Sequence, residues 1–375
     1  MANRLRHRLW LFFLVAVVEG IQPTPPGAEK PQSDLPVRFS ASSSLASSSS
    51  LGPPDLQPLA LADIFPPRDL SPLSLDPERI RVLVATGDIC PARFTDVIIR
   101  SRGDDFSYPF AAVSHLLSDA DLTVASLEAP LIEACPRRAP RFRFCGRPPF
   151  AQALRSAGID VVTLESNHRG DYGPGGVRET VRHLKAKGLA VVDRDRSAIL
   201  EIRGLRFGFL AFNGVGERID RKMMQARIAN LRPQVEVLIV SFHWGAEYVP
   251  LPQLAAGVAP DDPISVAHQA VEAGADLILG NHPHQVQAVE LYRGKLIAYA
   301  HGNFIFDQMW SEETRTGVLG RYTFYDRSLV KAEYLPVRIE NYAQPVPLAG
   351  RKAEAVLDRM RKASEELAGR IERGK

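Results

Sequence analysis

The fold this 375-residue sequence predicts is α/β: two mixed sheets packed face to face between outer helices, a four-layer α/β/β/α sandwich. Two observations carry it. Apolar strands alternate with amphipathic helices from Arg81 to Val192 and again from Glu236 to Gly280, a rhythm that implies mainly parallel sheet covered by helices. Hairpin turns at Arg203-Gly204, Arg293-Gly294 and Asp326 to Ser328 separate and follow these runs, so each sheet gains antiparallel strands.

Taken in order, "RVLVAT" reads as a strand, "YPFAAVSHLLSDA" as a helix, "LTVAS" as a strand and "FAQALRSAG" as a helix. "DVVTL", the helix "GGVRETVRHLKAKG" and the strand "LAVV" continue the pattern. "AILEIRG" and "LRFGFLAF" form a hairpin, followed by the strand "EVLIVSF", the helix "PISVAHQAVEAG" and the strand "DLILG". In the last segment, 349–375, Val356, Met360, Ala363, Leu367 and Ile371 fall on one helical face, which predicts a helix docked on the domain. No short repeat is present.

The start of the chain is different. Three arginines in "MANRLRHR" precede ten apolar residues, "LWLFFLVAVV", too short a run to span a bilayer comfortably. Residues 1–20 fit a secretory signal, with Val18 and Gly20 as small residues before the cut, or a short anchor. Either predicts an exported or envelope-associated protein. No cysteine follows the run, which argues against lipid anchoring. Residues 21–79 are rich in Pro and Ser and read as a flexible tether, because such composition buries too little apolar surface to offset its ordering entropy. The folded domain is expected over 80–348. Hydrophobic content of 45% and charged content of 24% are those of a soluble globular protein, and a net charge of +3 makes no case for nucleic acid.

Chemistry concentrates at strand ends. Gly87-Asp88, Leu127-Glu128, Asn167-His168 with Asp171, His243-Trp244-Gly245, and His282 with His284 each follow an apolar strand. Ligands in open α/β sheets bind beyond the carboxyl ends of strands, so five such ends address one crevice. Each alone is weak, since a lone strand-end Asp is usually a cap or turn former. Together, imidazole and carboxylate suit Mn, Zn or Fe, and the set has donors for two divalent ions sharing one carboxylate. In "GNHPHQ", Pro283 is expected to hold His282 extended, so that residues i and i+2 share a face and both rings look into the cleft.

The blocks "VATGDI", "ADLTVASLEAPL", "GIDVVTLESNHRGDYG", "VLIVSFHWGAEY", "AGADLILGNHPHQVQAVELYRGKLIAY" and "HGNFIFDQ" resemble those of the CapA family. These are poly-gamma-glutamate capsule synthesis proteins of the calcineurin-like metallophosphoesterase superfamily, and the likeness runs over about 81–345. The resemblance implies that Asp88 and His284 hold a first ion, Asn167, His243 and His282 a second, and Glu128 both. It implies that His168, oriented by Asp171, acts as general acid or phosphate binder. Asn303 is then an expected substrate contact. Three departures stand out: Cys90 occupies the place of a superfamily histidine, so the first ion is expected to be weakly held; Ser126 replaces an asparagine; and Glu165-Ser166 are unusual.

Five arginines, Arg137, Arg138, Arg141, Arg143 and Arg147, crowd the loop beginning at Cys135. Guanidinium forks match carboxylate or phosphate, so Arg137, Arg141 and Arg143 read as a binding rim for an acidic polymer or phosphoester, against the plainer reading of a solvated face. Cys135 and Cys145 pair if the chain is exported, leaving Cys90 reduced. The resemblance points to three roles: metal-dependent phosphoester hydrolysis, gamma-glutamyl amide hydrolysis, or non-catalytic guidance of an acidic polymer for a membrane-bound synthetase.

Overall fold

A computed structural model describes residues 57–137 and 142–374. The expected signal or anchor, most of the tether, Arg138 and Arg141 lie outside the described residues.

The first half contains β1 (Ile80–Ile89), α1 (Phe94–Ser101), α2 (Ser114–Ser118), β2 (Leu122–Leu127), α3 (Pro149–Ser156), β3 (Val161–Thr163), α4 (Gly173–Ala186) and β4 (Ala190–Val192). Next come β5 (Ala198–Ile202), β6 (Leu205–Asn213), α5 (Arg221–Leu231), β7 (Val237–His243), α6 (Pro263–Ala273), β8 (Leu277–Asn281), β9 (Val289–Tyr292) and β10 (Lys295–Ala298). The chain closes with β11 (Asn303–Ile305), α7 (Glu312–Arg315), β12 (Thr316–Tyr325), β13 (Ser328–Glu340), β14 (Gln344–Pro347) and α8 (Gly350–Arg373).

Two mixed sheets result. One runs β14-β13-β12-β1-β2-β3-β4, with β11 added beside the end of β1; the other runs β5-β6-β7-β8-β10-β9. In the first, β1 to β4 are parallel and β12 and β13 antiparallel. In the second, β6, β7, β8 and β10 are parallel, with β5 and β9 antiparallel at the edges.

Side-chain alternation along the strands builds the layers. Leu83 and Ala85 of β1 meet Ile239 and Leu279 of β7 and β8 between the sheets. Val84 faces the other way, among Ile99, Phe150, Leu154 and Leu184 of α1, α3 and α4. Leu238 and Val240 likewise meet Ile228 and Val266 of α5 and α6 on the opposite side. The order is therefore helices, sheet, sheet, helices. Helix α8 bridges layers: Val356 and Met360 enter the inter-sheet core while Ala363 and Leu367 join the outer cluster with α5 and α6. Its Ser364 hydroxyl accepts the Val289 N–H of edge strand β9 at 2.9 Å. Among the described residues no helix is long and apolar enough to cross a membrane.

Three local expectations differ. "YPFAAVSHLLSDA" is not one helix: a 3-10 turn (Tyr108–Phe110) precedes the short α2, because Val113, at φ −128°, leaves helical geometry. This break lets Phe110, Val113 and Leu117 all bury against the first sheet. Ordered structure also begins before residue 80. Ile64 is buried in the inter-sheet core and Phe65 stacks on Tyr334 at 6.0 Å, since "LALADIF" is an apolar burst inside the Pro-rich stretch. Helices α1 and α5 are not among the elements the sequence predicts; α5 carries "RKMMQARIAN", whose few apolar positions give a weak stripe, yet Asp220 caps it by accepting the Met223 N–H at 3.0 Å.

Candidate metal centre

Two glycines let backbones close in where the site forms. A Cβ on Gly87 would lie 2.0 Å from the Gly302 oxygen, and one on Gly280 1.9 Å from the Tyr299 oxygen. Only glycine permits such approach, and each lies within two residues of a site residue, Asp88 or His282. Past Ala85, β1 exchanges its neighbour β12 for β11, with a register shift against β2, so Asp88 comes to pair with Asn303. Bulges of this kind re-aim side chains at strand ends.

Asp88 is 1% exposed; its Oδ2 accepts the His282 N–H at 3.1 Å and its Oδ1 the Ser126 hydroxyl at 3.3 Å. Glu128, just beyond β2, is fully buried and neither of its carboxylate oxygens has a hydrogen-bond partner. Around it stand His243 Nε2 at 3.7 Å and His284 Nε2 at 3.9 Å, both too far for a hydrogen bond. Both ring nitrogens of His282 and Nδ1 of His243 are equally unpartnered. Asn167 Oδ1 lies 2.9 Å from His243 Nε2.

Two overlapping groups of donor atoms emerge, Glu128 with His243 and His282, and Asp88 with Glu128 and His284. Glu128 is common to both. A third group joins His282 and His284 to Glu247, which is not among the sequence-predicted site residues. Its only local signal is its place four residues beyond His243.

Burial holds the three imidazoles neutral, lowering His243 and His282 well below the usual range and His284 to about 3. Burial likewise pushes Asp88 up to about 7, and burial reinforced by the charges of Asp88 and Glu247 raises Glu128 well above a normal glutamate. Neutral imidazoles present lone pairs, and clustered carboxylates without a cation repel one another. So many buried, unpaired donors are costly in a structural core, and they fit divalent-ion ligands.

The "GNHPHQ" turn reaches this arrangement by an unexpected route. His282 has φ +98° and His284 φ +56°, so the segment is not extended, and alternation along a strand does not explain how the rings converge. Left-handed backbone at two non-glycine residues is strained and persists only where surroundings impose it. Here the Asp88 carboxylate grips the His282 N–H, and Asn303 Oδ1 lies 3.0 Å from His284 Nδ1.

His168 Nδ1 sits 2.9 Å from Asp171 Oδ2, and its ring stacks on Phe144 at 4.0 Å. Phe144 meets Phe306, which packs against His284, so one aromatic wall joins His168 to the metal-type cluster. Asp171 Oδ2 also accepts the Phe144 N–H at 2.6 Å.

The expected substrate contacts fare differently. Asn303 is fully buried, with its amide donating to Gln308 and Thr314, so it orients His284 and does not face a substrate. Arg143 donates from Nε to the Asp171 carbonyl at 2.9 Å and covers the Tyr172 ring, bracing the His168–Asp171 loop. Arg147 is paired with Asp96 and Asp104, each at 2.7 Å. Arg137 is exposed, and Arg141 lies outside the described residues. Cys135 and Cys145 form a disulfide; Cys90 is free and buried, and burial pushes its thiol up. Glu165 is also buried; Arg169 Nε lies 3.3 Å from it and the Arg194 N–H donates to it at 2.9 Å.

Comparison with known proteins places this site in context. "Capsule biosynthesis protein CapA" of Bacillus anthracis is 27% identical over 297 residues, covering 71% of this chain and 69% of that protein. "PGA biosynthesis protein CapA" of Bacillus subtilis is 24% identical over 313 residues, 77% and 80% of the two chains. A Mycobacterium tuberculosis relative named "Probable polyglutamine synthesis accessory protein" is 28% identical over 269 residues, 62% and 66% respectively. The family described as "Bacterial capsule synthesis protein PGA_cap" matches residues 82–308, a span that holds every donor of the metal-type cluster, and the chain belongs to that family.

Proposed function

We propose that this chain serves the synthesis of an anionic envelope polymer of the poly-gamma-glutamate type, and that its site is a metal-dependent hydrolase centre. The observation that carries the reading is Glu128: a fully buried carboxylate with both oxygens unpaired, grouped with imidazoles of which His282 lacks a partner on either nitrogen and His243 on Nδ1. Asp88 and His284 would hold one divalent ion and Asn167, His243 and His282 another, with Glu128 shared by both and Mn, Zn or Fe suited to this donor set. Bound there, such ions supply Lewis acidity and lower the pKa of water.

The chain's own groups do the rest. Asn303 holds His284 by Nδ1, which leaves Nε2 turned to the cluster. Asp171 fixes the His168 ring, Phe144 stacks beneath it, and His168 Nε2 is the atom that would pass a proton to a leaving group. The substrate is a phosphoester or a gamma-glutamyl amide of the envelope. Export through residues 1–20, with a mature start near Ile21, and work beside a membrane-bound synthetase belong to the same proposal.

Turnover on an aryl phosphomonoester, a phosphodiester and poly-gamma-glutamate, with Mn, Zn or Fe added, tests it. Metal-dependent hydrolysis of one of them, lost in His243→Ala, is expected. Turnover indifferent to His243→Ala would overturn this site as the hydrolase centre, and no turnover on any would leave the accessory reading: a domain that binds the polymer without cleaving it. The mycobacterial relative, named as a synthesis accessory protein, favours that second reading.

A further inference from the structure

Glu247 belongs to no role described so far. It follows β7 on a loop pinned from both sides of it: the Ala246 N–H donates to the Gln253 carbonyl at 2.8 Å and the Tyr248 N–H to the Pro283 carbonyl at 2.9 Å. That second bond ties the loop to the residue between His282 and His284. Glu247 Oε1 consequently stands 3.9 Å from His282 Nε2 and 3.8 Å from His284 Nε2. Its side chain is 38% exposed, whereas the two histidines are buried, so it forms the mouth of the cluster.

These separations are too long for hydrogen bonds. They do match donor-to-donor separations within a metal centre, where metal–nitrogen and metal–oxygen distances are about 2.0–2.2 Å, so Glu247 can reach the ion held by either histidine. His282 has no hydrogen bond on either nitrogen, and His284 Nδ1 is already taken by Asn303, which leaves its Nε2 facing Glu247. An ion pair is a poor account of the contact, because buried imidazoles are neutral.

We propose that Glu247 is a further metal ligand, closing the exposed side of the cluster together with His282 and His284. The inference rests on the reading of this site as a metal centre.

Calorimetric titration of the full chain with Mn2+ and with Zn2+, for wild type, Glu247→Gln, Glu247→Asp and His282→Ala, decides it. Glu247→Gln keeps size and loses charge; it should bind one equivalent on the order of tenfold or more weaker, with Glu247→Asp intermediate and metal-free thermal midpoints unchanged. Wild-type binding that weakens in His282→Ala but not in Glu247→Gln overturns this inference alone. A wild type that takes up neither metal overturns the metal-centre reading and this inference with it.

Discussion

The Asp88 carboxylate accepts the backbone N–H of His282 at 3.1 Å, joining residues 194 positions apart. Asp88 is the last residue but one of β1 in one sheet, and His282 follows β8 in the other. One bond thus fastens the two sheets where their strand ends converge, and it fixes a histidine whose own ring nitrogens are free. This geometry sets the first expectation.

His282→Ala should lose the ion shared with Asn167 and His243, and His284→Ala the ion shared with Asp88. Glu128→Gln should weaken both. Elemental analysis per chain reads the outcome; unchanged content in all three variants would show an ordinary polar turn. At metal a hundredfold above Kd the wild type should gain about 2.7 kcal/mol on binding, a gain Glu128→Gln forfeits. Without metal, that variant should be about as stable as wild type, because it replaces a buried carboxyl that has no hydrogen-bond partner on either oxygen and whose ionisation burial opposes.

His168→Ala should leave metal content intact and cut turnover roughly 10²- to 10⁴-fold, the range of a lost general acid. Asp171→Asn should fall between, because it loosens the ring's orientation without removing it. Equal turnover for wild type and His168→Ala would assign the ring a structural place only.

Opening the Cys135–Cys145 bridge by the double serine variant should cost about 2–3 kcal/mol, the chain-entropy value for a loop of roughly ten residues. Thiol labelling of the unreduced, unfolded chain should find one cysteine, and after reduction three. Native protein should label at none, since Cys90 is 1% exposed and burial raises its thiol pKa.

Gly87→Ala should destabilise by about 3 kcal/mol, since its Cβ would meet the Gly302 backbone oxygen at 2.0 Å and neither strand can yield. Gly175→Ala is the contrast. It lies in the first turn of α4 with no atom near the added carbon, and should be neutral or stabilise by up to about 1 kcal/mol. Urea unfolding of both variants checks the pair.

Most strands, the hairpins and the strand-end donors were legible in the sequence because each is written in local period and residue type. "RVLVAT" and "DLILG" each hold a short apolar run, and Asp88, Glu128, His243 and His282 each follow such a run. Packing decided what local pattern could not. The positive φ of His282 and His284 comes from partners on β1 and β11, distant in the chain, and propensity before a proline pointed the other way. Asn303 read as a substrate contact until the register of β11 on β1 buried it behind His284. Glu247 carries no periodic signal at all; it counts only because the Tyr248 N–H reaches Pro283 in the neighbouring strand connection. Period and composition act over a few residues and decide which elements form. Which side chains meet depends on how two sheets are registered and apposed, and that is set by burial and hydrogen bonding across the whole domain.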